Sequence, residues 1–215
     1  MLGNSRAVVS SQLQPLEKLS RLVQKHQVTT WQKPTAPHSL HVWNELGRWR
    51  QPHLPLILDL GCGRGLSCRQ LHQAHPQAQV LGIDKSSVRL RDAPPPSPHL
   101  CLTRGELEDL IPLMVASGWK ASQVFVLYPN PWPKPTQAKR RWPYHPLFPL
   151  LVQLGPVELR TNWLIYAQEW HQACQVLGLK ASPPKAFQEF QFPTTHFEQK
   201  YLTSGQTLWK VVCGE

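Results

Sequence analysis

Four short apolar runs, "LPLILDL", "AQVLGID", "HLCLTRG" and "SQVFVLY", follow one another at intervals of about 20 to 25 residues from residue 54 onward. Runs of that length, separated by turns or helix-length segments, are what the alternating strands and helices of a parallel sheet give. The fold class is therefore expected to be α/β. A chain of 215 residues with 41% apolar content can bury one core of ordinary size. We expect one sheet-bearing domain over residues 54–215, preceded by a helical arm over residues 1–53. In that arm "PLEKLSRLVQKHQ" places Leu16, Leu19, Leu22 and Val23 at helical spacing. The next stretch, "TTWQKPTAPHSLHVWNELGRWRQPH", mixes turn formers with three tryptophans, as a packed arm or another short helix would.

Composition narrows the partners. The net charge of +10 makes a polyanion the leading partner, nucleic acid before an anionic membrane. Twenty-two prolines, against an average usage of ~5%, cluster between the apolar runs and mark stiff loops. Cys62, Cys68, Cys101, Cys174 and Cys213 are odd in number and contain no CxxC pair, so neither a disulfide framework nor a standard zinc site is suggested. His72 and His75 have a spacing compatible with a metal, but no third ligand accompanies them, and no metal is expected. No apolar run approaches the ~20 residues of a membrane span, and "MLGNSRAVVSSQ" lacks the apolar core of a signal peptide. A cytoplasmic protein without a membrane partner is the expectation.

The first run ends "LILDLGCGRG", with Asp59 at the strand tip and Gly61, Gly63 and Gly65 at every second position around Cys62. Glycines let the backbone turn sharply and let a ligand approach where a β-carbon would obstruct it, while the following helix offers free N–H groups. A nucleotide-type cofactor fits there. The second run ends in Asp84, 19 residues beyond Gly65, where an acid about 20 residues on accepts hydrogen bonds from ribose hydroxyls. On these grounds a dinucleotide remains an option. The third run leads into "GELEDLIPLM", whose Glu106, Glu108 and Asp109 stand at the start of an apolar helix, where the helix dipole favours negative side chains. The fourth leaves through "YPNPWPKPTQAKRR", in which prolines on either side of Asn130 remove two backbone donors and fix the direction of its carboxamide at the ligand-binding edge of the sheet.

"DLGCGRG" resembles motif I of the class I S-adenosylmethionine-dependent methyltransferases. The resemblance implies a Rossmann-like fold with a seven-stranded, mostly parallel sheet and helices on both faces, its last two strands near "KAFQEFQF" and "QTLWKVVC". It also implies S-adenosylmethionine as cofactor, with Asp59 near its methionine end, Asp84 on its ribose and Glu106 reading the adenine amino group. Gly61, Cys62, Gly63, Gly65, Lys85 and Leu107 complete the implied cofactor set.

Within that class the chain resembles the tRNA (guanine-N7) methyltransferases, whose fourth strand ends in Pro-Asp-Pro-Trp followed by lysine and a basic run. "YPNPWPKPTQAKRR" is similar to it, as "LRTNWLIYAQEW" is to the family's Thr-Asp segment and "TTHFEQKYLTSGQTLWKV" to its Thr-x-Phe-Glu segment. The resemblance covers residues 54–212 and implies tRNA as substrate. It makes Asn130 the catalytic, reaction-centre position and Lys134 a substrate contact, with Asn162, Thr195 and Glu198 in the guanine-side pocket. Lys134, Lys139, Arg140 and Arg141 would then meet phosphates, and Trp132 or Trp142 would stack on a displaced base. Two departures stand out: the family's Asp is here Asn130 and again Asn162, and a histidine common in the basic segment is absent. Activity is therefore expected to be weaker than the family's or directed at another RNA nucleobase or amine, and an RNA-binding or partner role that keeps the fold without turnover is the remaining alternative. Nothing in the sequence separates a monomer from a homodimer.

Overall fold

The computed structural model describes residues 4–214; residues 1–3 and 215, the outermost positions of the expected arm and domain, lie outside the described residues. Seven strands form one sheet: β1 (Leu56–Leu60), β2 (Gln79–Asp84), β3 (Leu100–Arg104), β4 (Gln123–Leu127), β5 (Val157–Thr161), β6 (Lys185–Phe187) and β7 (Leu208–Cys213). Their order across the sheet is β3-β2-β1-β4-β5-β7-β6. The first five are mutually parallel, β7 runs antiparallel to β5, and β6 runs antiparallel to β7. Strand order therefore reverses between β1 and β4, the place where an open α/β sheet leaves a crevice beyond its carboxyl ends.

Helices on both faces explain why the four runs read as continuous apolar stretches rather than alternating ones. Every residue of β1 and β2 is buried. Gly82, paired with Asp59 in the β1–β2 register, is required by close approach: a β-carbon there would lie 2.5 Å from Cys68 Sγ and 2.6 Å from a Leu102 methyl. Cys68 belongs to α3 (Leu66–Ala74), which descends directly from the glycine loop. The outermost strands, β3 and β6, are each entered through prolines, Pro94, Pro95, Pro96 and Pro98 before one and Pro183 and Pro184 before the other.

The expected arm is joined to the sheet through a shared core. Leu19 and Val23, one turn apart on α1 (Leu19–Val28), and Leu46 of α2 (Pro37–Trp49) belong to the same cluster as Trp170 of α6 (Leu164–Val176) and Phe148 of α5 (Phe148–Gln153). Phe148 and Trp170 meet edge to face at 4.9 Å, a geometry that adds to their area burial. Glu108 and Asp109, at the start of α4 (Leu107–Ala116), fasten the arm as well. Lys33 pairs with Glu108 at 3.2 Å and Asp109 at 3.0 Å, and Ser39 Oγ donates to Asp109 at 2.7 Å. Burial raises and the Ser39 and Lys33 contacts lower the Asp109 carboxyl, with a net shift downward.

Candidate active site

At the tip of β1 the backbone turns through three left-handed glycines, Gly61 (φ 94°), Gly63 (φ 60°) and Gly65 (φ 71°). They do different things. A β-carbon on Gly61 or Gly63 would meet nothing within 4 Å, so these two keep a space open. One on Gly65 would strike Leu102 at 2.4 Å, so Gly65 lets α3 sit down on the sheet. The loop is tied to β2 by Gly61 N–H and Cys62 N–H, which donate to the Ile83 carbonyl at 2.8 and 3.1 Å.

The two strand-tip carboxylates are buried and differently dressed. Asp84 accepts from Gly63 N–H and Ser86 N–H, each at 2.9 Å, and Arg89 approaches it at 3.5 Å. Asp59 accepts from Ser67 Oγ on one oxygen, with Cys68 Sγ 3.4 Å from the same atom, while its Oδ1 has no partner. Burial, only partly offset by those hydrogen bonds and reinforced by the nearby Asp84 charge, pushes the Asp59 carboxyl up to about 6. A small cleft of about 110 Å³, open at its mouth, lies over this acid and the Gly61–Gly63 loop. Arg64, Leu66 and Ser67 extend the floor, Leu127 closes the β4 side, and Arg89, Thr195, His196 and Phe197 face them. A nucleoside cofactor carrying an amino-acid end fits this donor set: an ammonium could satisfy Asp59 Oδ1, and the two open glycines leave its chain room.

Lys85, Glu106 and Leu107 stand farther along the same edge, outside the enclosed part of the cavity. Lys85 is exposed, with its carbonyl accepting from Arg104 Nε at 3.2 Å. Glu106 occupies the N-cap of α4 in extended conformation, half-buried, without a capping bond from its side chain.

Beyond β4 the chain takes the corner Pro129-Asn130-Pro131 between two strained residues. Tyr128 (φ 55°) and Trp132 (φ 45°) are the non-glycine residues with positive φ among the described residues. Bulky side chains in that region cost about 1–3 kcal/mol each and persist where the surroundings over-determine them. Those surroundings are two buried ionic networks. Tyr128 Oη donates to Glu198 Oε2 at 2.7 Å, and Arg160, 1% exposed on β5, pairs with the same oxygen at 2.9 Å and with Glu158 at 2.6 Å. On the other side Arg141 pairs with Glu169 of α6, donates through Nε to the Trp132 carbonyl at 3.1 Å, and lies 4.7 Å over the Trp163 ring. Burial raises the Glu169 carboxyl and the Arg141 contact opposes it. Asn130 itself is exposed, its carboxamide free of protein partners among the described residues.

Several expected contacts take other places. Arg141 cannot meet phosphate: it is 0% exposed and its guanidinium is spent on Glu169, Gln12 and backbone carbonyls. Lys134, Lys139 and Arg140 are exposed, and the Arg140 guanidinium lies 4.6 Å over the Trp132 ring. Glu198 is also corrected from a guanine contact, because it is 0% exposed, with Tyr128 and Arg160 on one oxygen and Gln191 N–H (2.7 Å) on the other. Thr195 lines the cavity while its side chain caps α7 (His196–Thr203) by accepting from Glu198 N–H at 3.0 Å. Asn162 donates to Gln206 Oε1 at 3.0 Å. Trp142 packs edge-on against His145 at 5.5 Å, which leaves Trp132 as the aromatic residue of the corner. Arg89, His196 and Phe197 were not anticipated. Arg89 lies 5.5 Å over the Phe197 ring, a pairing between positions 108 apart that no local pattern announces; Ser67, just after the glycine loop, was within reach of the motif.

A glycine turn and two buried acids at the switch point of a seven-stranded sheet with an antiparallel β7 define a class I methyltransferase. The fold agrees with solved structures: an antibiotic-related methyltransferase (TM-score 0.59, 15% identity, 89% of this chain and 98% of that one). Another is a 16S rRNA (adenine(1408)-N(1))-methyltransferase from Catenulisporales acidiphilia with cosubstrate SAM (TM-score 0.54, 17% identity, 80% of this chain and 91% of that one). Residues 53–211 match the methyltransferase family model Methyltransf_4, and the chain belongs to the tRNA (guanine-N7) methyltransferase family. It is 28% identical over 200 residues to a tRNA (guanine-N(7)-)-methyltransferase of Bordetella pertussis, covering 85% of this chain and 74% of that protein. A protein of the same name from Anaeromyxobacter dehalogenans is 28% identical over 169 residues (73% of this chain, 83% of that protein). One from Mycolicibacterium gilvum is 29% identical over 134 residues (58% of this chain), and there the match spans about half of the relative, 49%. None of the described helices is long and apolar enough to cross a membrane.

Proposed function

We propose that the chain transfers the methyl group of S-adenosylmethionine to N7 of a guanine in tRNA, in the cytoplasm, as a monomer or homodimer. The observation that carries this reading is the meeting, at one sheet edge, of an open glycine turn with an unpartnered buried carboxylate and a rigid amide-bearing corner flanked by exposed cations. When bound, the cofactor supplies an electrophilic sulfonium methyl. Asp59 and the Gly61–Gly63 turn hold its amino-acid end, Asp84 its ribose, and Glu106 with Lys85 and Leu107 its base.

Guanine N7 carries a lone pair and no proton, so no general base is needed. The protein has to align that lone pair and tolerate positive charge on the purine. Asn130 can accept from guanine N1–H or N2–H through its oxygen and donate to O6 through its NH₂, which fixes the purine's orientation. An aspartate would add a negative charge against the arriving positive one, and Asn130 forgoes that term. Trp132, with Arg140 stacked on it, offers a face for the displaced base, and Lys134, Lys139 and Arg140 meet phosphates.

Radiolabelled methyl transfer to unmodified tRNA, followed by nucleoside analysis, is expected to yield 7-methylguanosine. Label in another nucleoside, or binding of S-adenosylhomocysteine by calorimetry without any transfer, would replace this reading with one of the two alternatives. The amides at 130 and 162 favour the second: a partner or RNA-binding role.

A further inference from the structure

The segment 5–12 has no place in the methyltransferase scheme, yet it bonds a neighbour of each amide position of the site, Gln206 beside Asn162 and Pro133 just past Asn130. At one end Ser5 N–H donates to Ser204 Oγ at 3.0 Å, and the Ser5 carbonyl accepts at 3.1 Å from Gln206, the residue that receives Asn162. At the other end Ser10 Oγ donates to the Pro133 carbonyl at 2.5 Å and accepts from Gln12 N–H at 3.0 Å. Gln12, 6% exposed, donates to Glu169 at 2.8 Å and accepts from Arg141 Nη2 at 3.0 Å. Arg141 in turn holds the Trp132 carbonyl at 3.1 Å and reaches the Lys134 carbonyl at 3.5 Å.

Three successive carbonyls where the chain leaves the corner, 132 to 134, are thus held by Ser10 or by an arginine that Gln12 completes. We propose that residues 5–12 form a positioning strap for the target-base corner, with Ser10 and Gln12 as positioning residues that act through Trp132 and Pro133 on Asn130; the catalytic part of this rests on the function proposed above. Two features make the corner dependent on such a strap. Proline at 129, 131 and 133 removes three of the N–H groups with which a loop bonds to its surroundings, and among the described residues the Asn130 and Trp132 N–H groups have no partner, so the backbone past Tyr128 is held through its carbonyls. Trp132, at φ 45°, relaxes if its carbonyl is released. From Ser5 to Ser10 an extended chain spans at most about 18 Å, so the strap cannot drift while both ends are bonded.

Ser10→Ala removes one half-exposed hydroxyl and leaves the buried ion pair intact. Loss of one such hydrogen bond is expected to lower kcat about fivefold to tenfold, with KM for tRNA and affinity for S-adenosylhomocysteine within about twofold. Hydrogen exchange measured on peptides spanning residues 125–140 should quicken by a similar factor at the bonded amides that flank the corner, Tyr128 N–H (to the Arg160 carbonyl, 2.8 Å) and Gln137 N–H (to the Lys134 carbonyl, 2.9 Å), and Ser10→Thr should restore both readouts. Faster exchange with unchanged kcat would reduce the strap to a structural tie and overturn the proposal, as would unchanged exchange. If the unmodified chain methylates no tRNA, the proposed function fails, while the exchange arm still decides the strap: unchanged exchange overturns it and faster exchange supports the hold on the corner.

Discussion

The glycine-bearing rim between β1 and α3 and the proline-bearing rim after β4 face the same crevice but are held by different means. Gly61, Gly63 and Gly65 are held locally, the first two through bonds to Ile83 and Asp84 on the adjacent strand and the third through the Cys62 carbonyl within the turn. The corner at 128–132 is held by Glu198, Arg160, Arg141, Glu169 and Gln12, residues brought from both ends of the chain. The cofactor rim therefore needs small residues at set places, and the target rim needs a folded remainder. Buried ion pairs suit the second task because their geometry is exacting: removing one partner leaves an uncompensated charge.

The largest test of that contrast is Arg141→Met, which strands Glu169 and releases the Trp132 carbonyl. We expect a loss of about 3–5 kcal/mol in urea unfolding, with S-adenosylhomocysteine affinity retained in the folded fraction; a loss below about 1 kcal/mol would mean that the corner stands without the pair. Asp59→Asn should act in the opposite direction. Because the folded chain raises this carboxyl from 3.8 to about 6, folding is favoured by the protonated form below about pH 4 and loses that advantage as pH rises through 6. At ~1.4 kcal/mol per pKa unit, the substitution should stabilise the cofactor-free chain by up to about 3 kcal/mol at neutral pH and by almost nothing near pH 4. Melting curves of both proteins across that range would show it.

Gly63→Ala puts a β-carbon into the open space at a φ that L-residues disfavour by about 1–2 kcal/mol. S-adenosylhomocysteine binding should weaken at least about tenfold by calorimetry, equivalent to ~1.4 kcal/mol, while tRNA affinity stays the same. The smallest effect is expected from Lys139→Ala with Arg140→Ala. Affinity for tRNA should fall and the slope of log K against log salt should flatten by about 1–2, with cofactor binding untouched. Equal losses in both ligands would erase the distinction between the rims.

What the sequence made legible follows the same division. The glycine turn, Asp59, Asp84 and the strand series were readable because turn chemistry and apolar runs are local signals. The exposure of Lys134, Lys139 and Arg140 followed from a basic run. Arg141 belongs to the same run and was read with its neighbours, but the short 3-10 turn Pro135–Arg140 delivers it inward to Glu169, and no pattern within the run distinguishes it. Glu198 was legible as a motif residue but not as the partner of Arg160, 38 positions away. Gln12 and Arg141 lie 129 positions apart. Contacts of that range are set by the topology of the sheet, which single-sequence reading reaches only in outline.

The prolines that lead into β3 and β6 have an effect of their own. Unpaired strands at the margins of a sheet are templates for joining another molecule's strand, and proline supplies no N–H for that join. Both margins here are entered through such residues, and β6 is only three residues long. Another molecule's strand would consequently find only the few N–H groups of the strands themselves to pair with, and none at the prolines that lead into them.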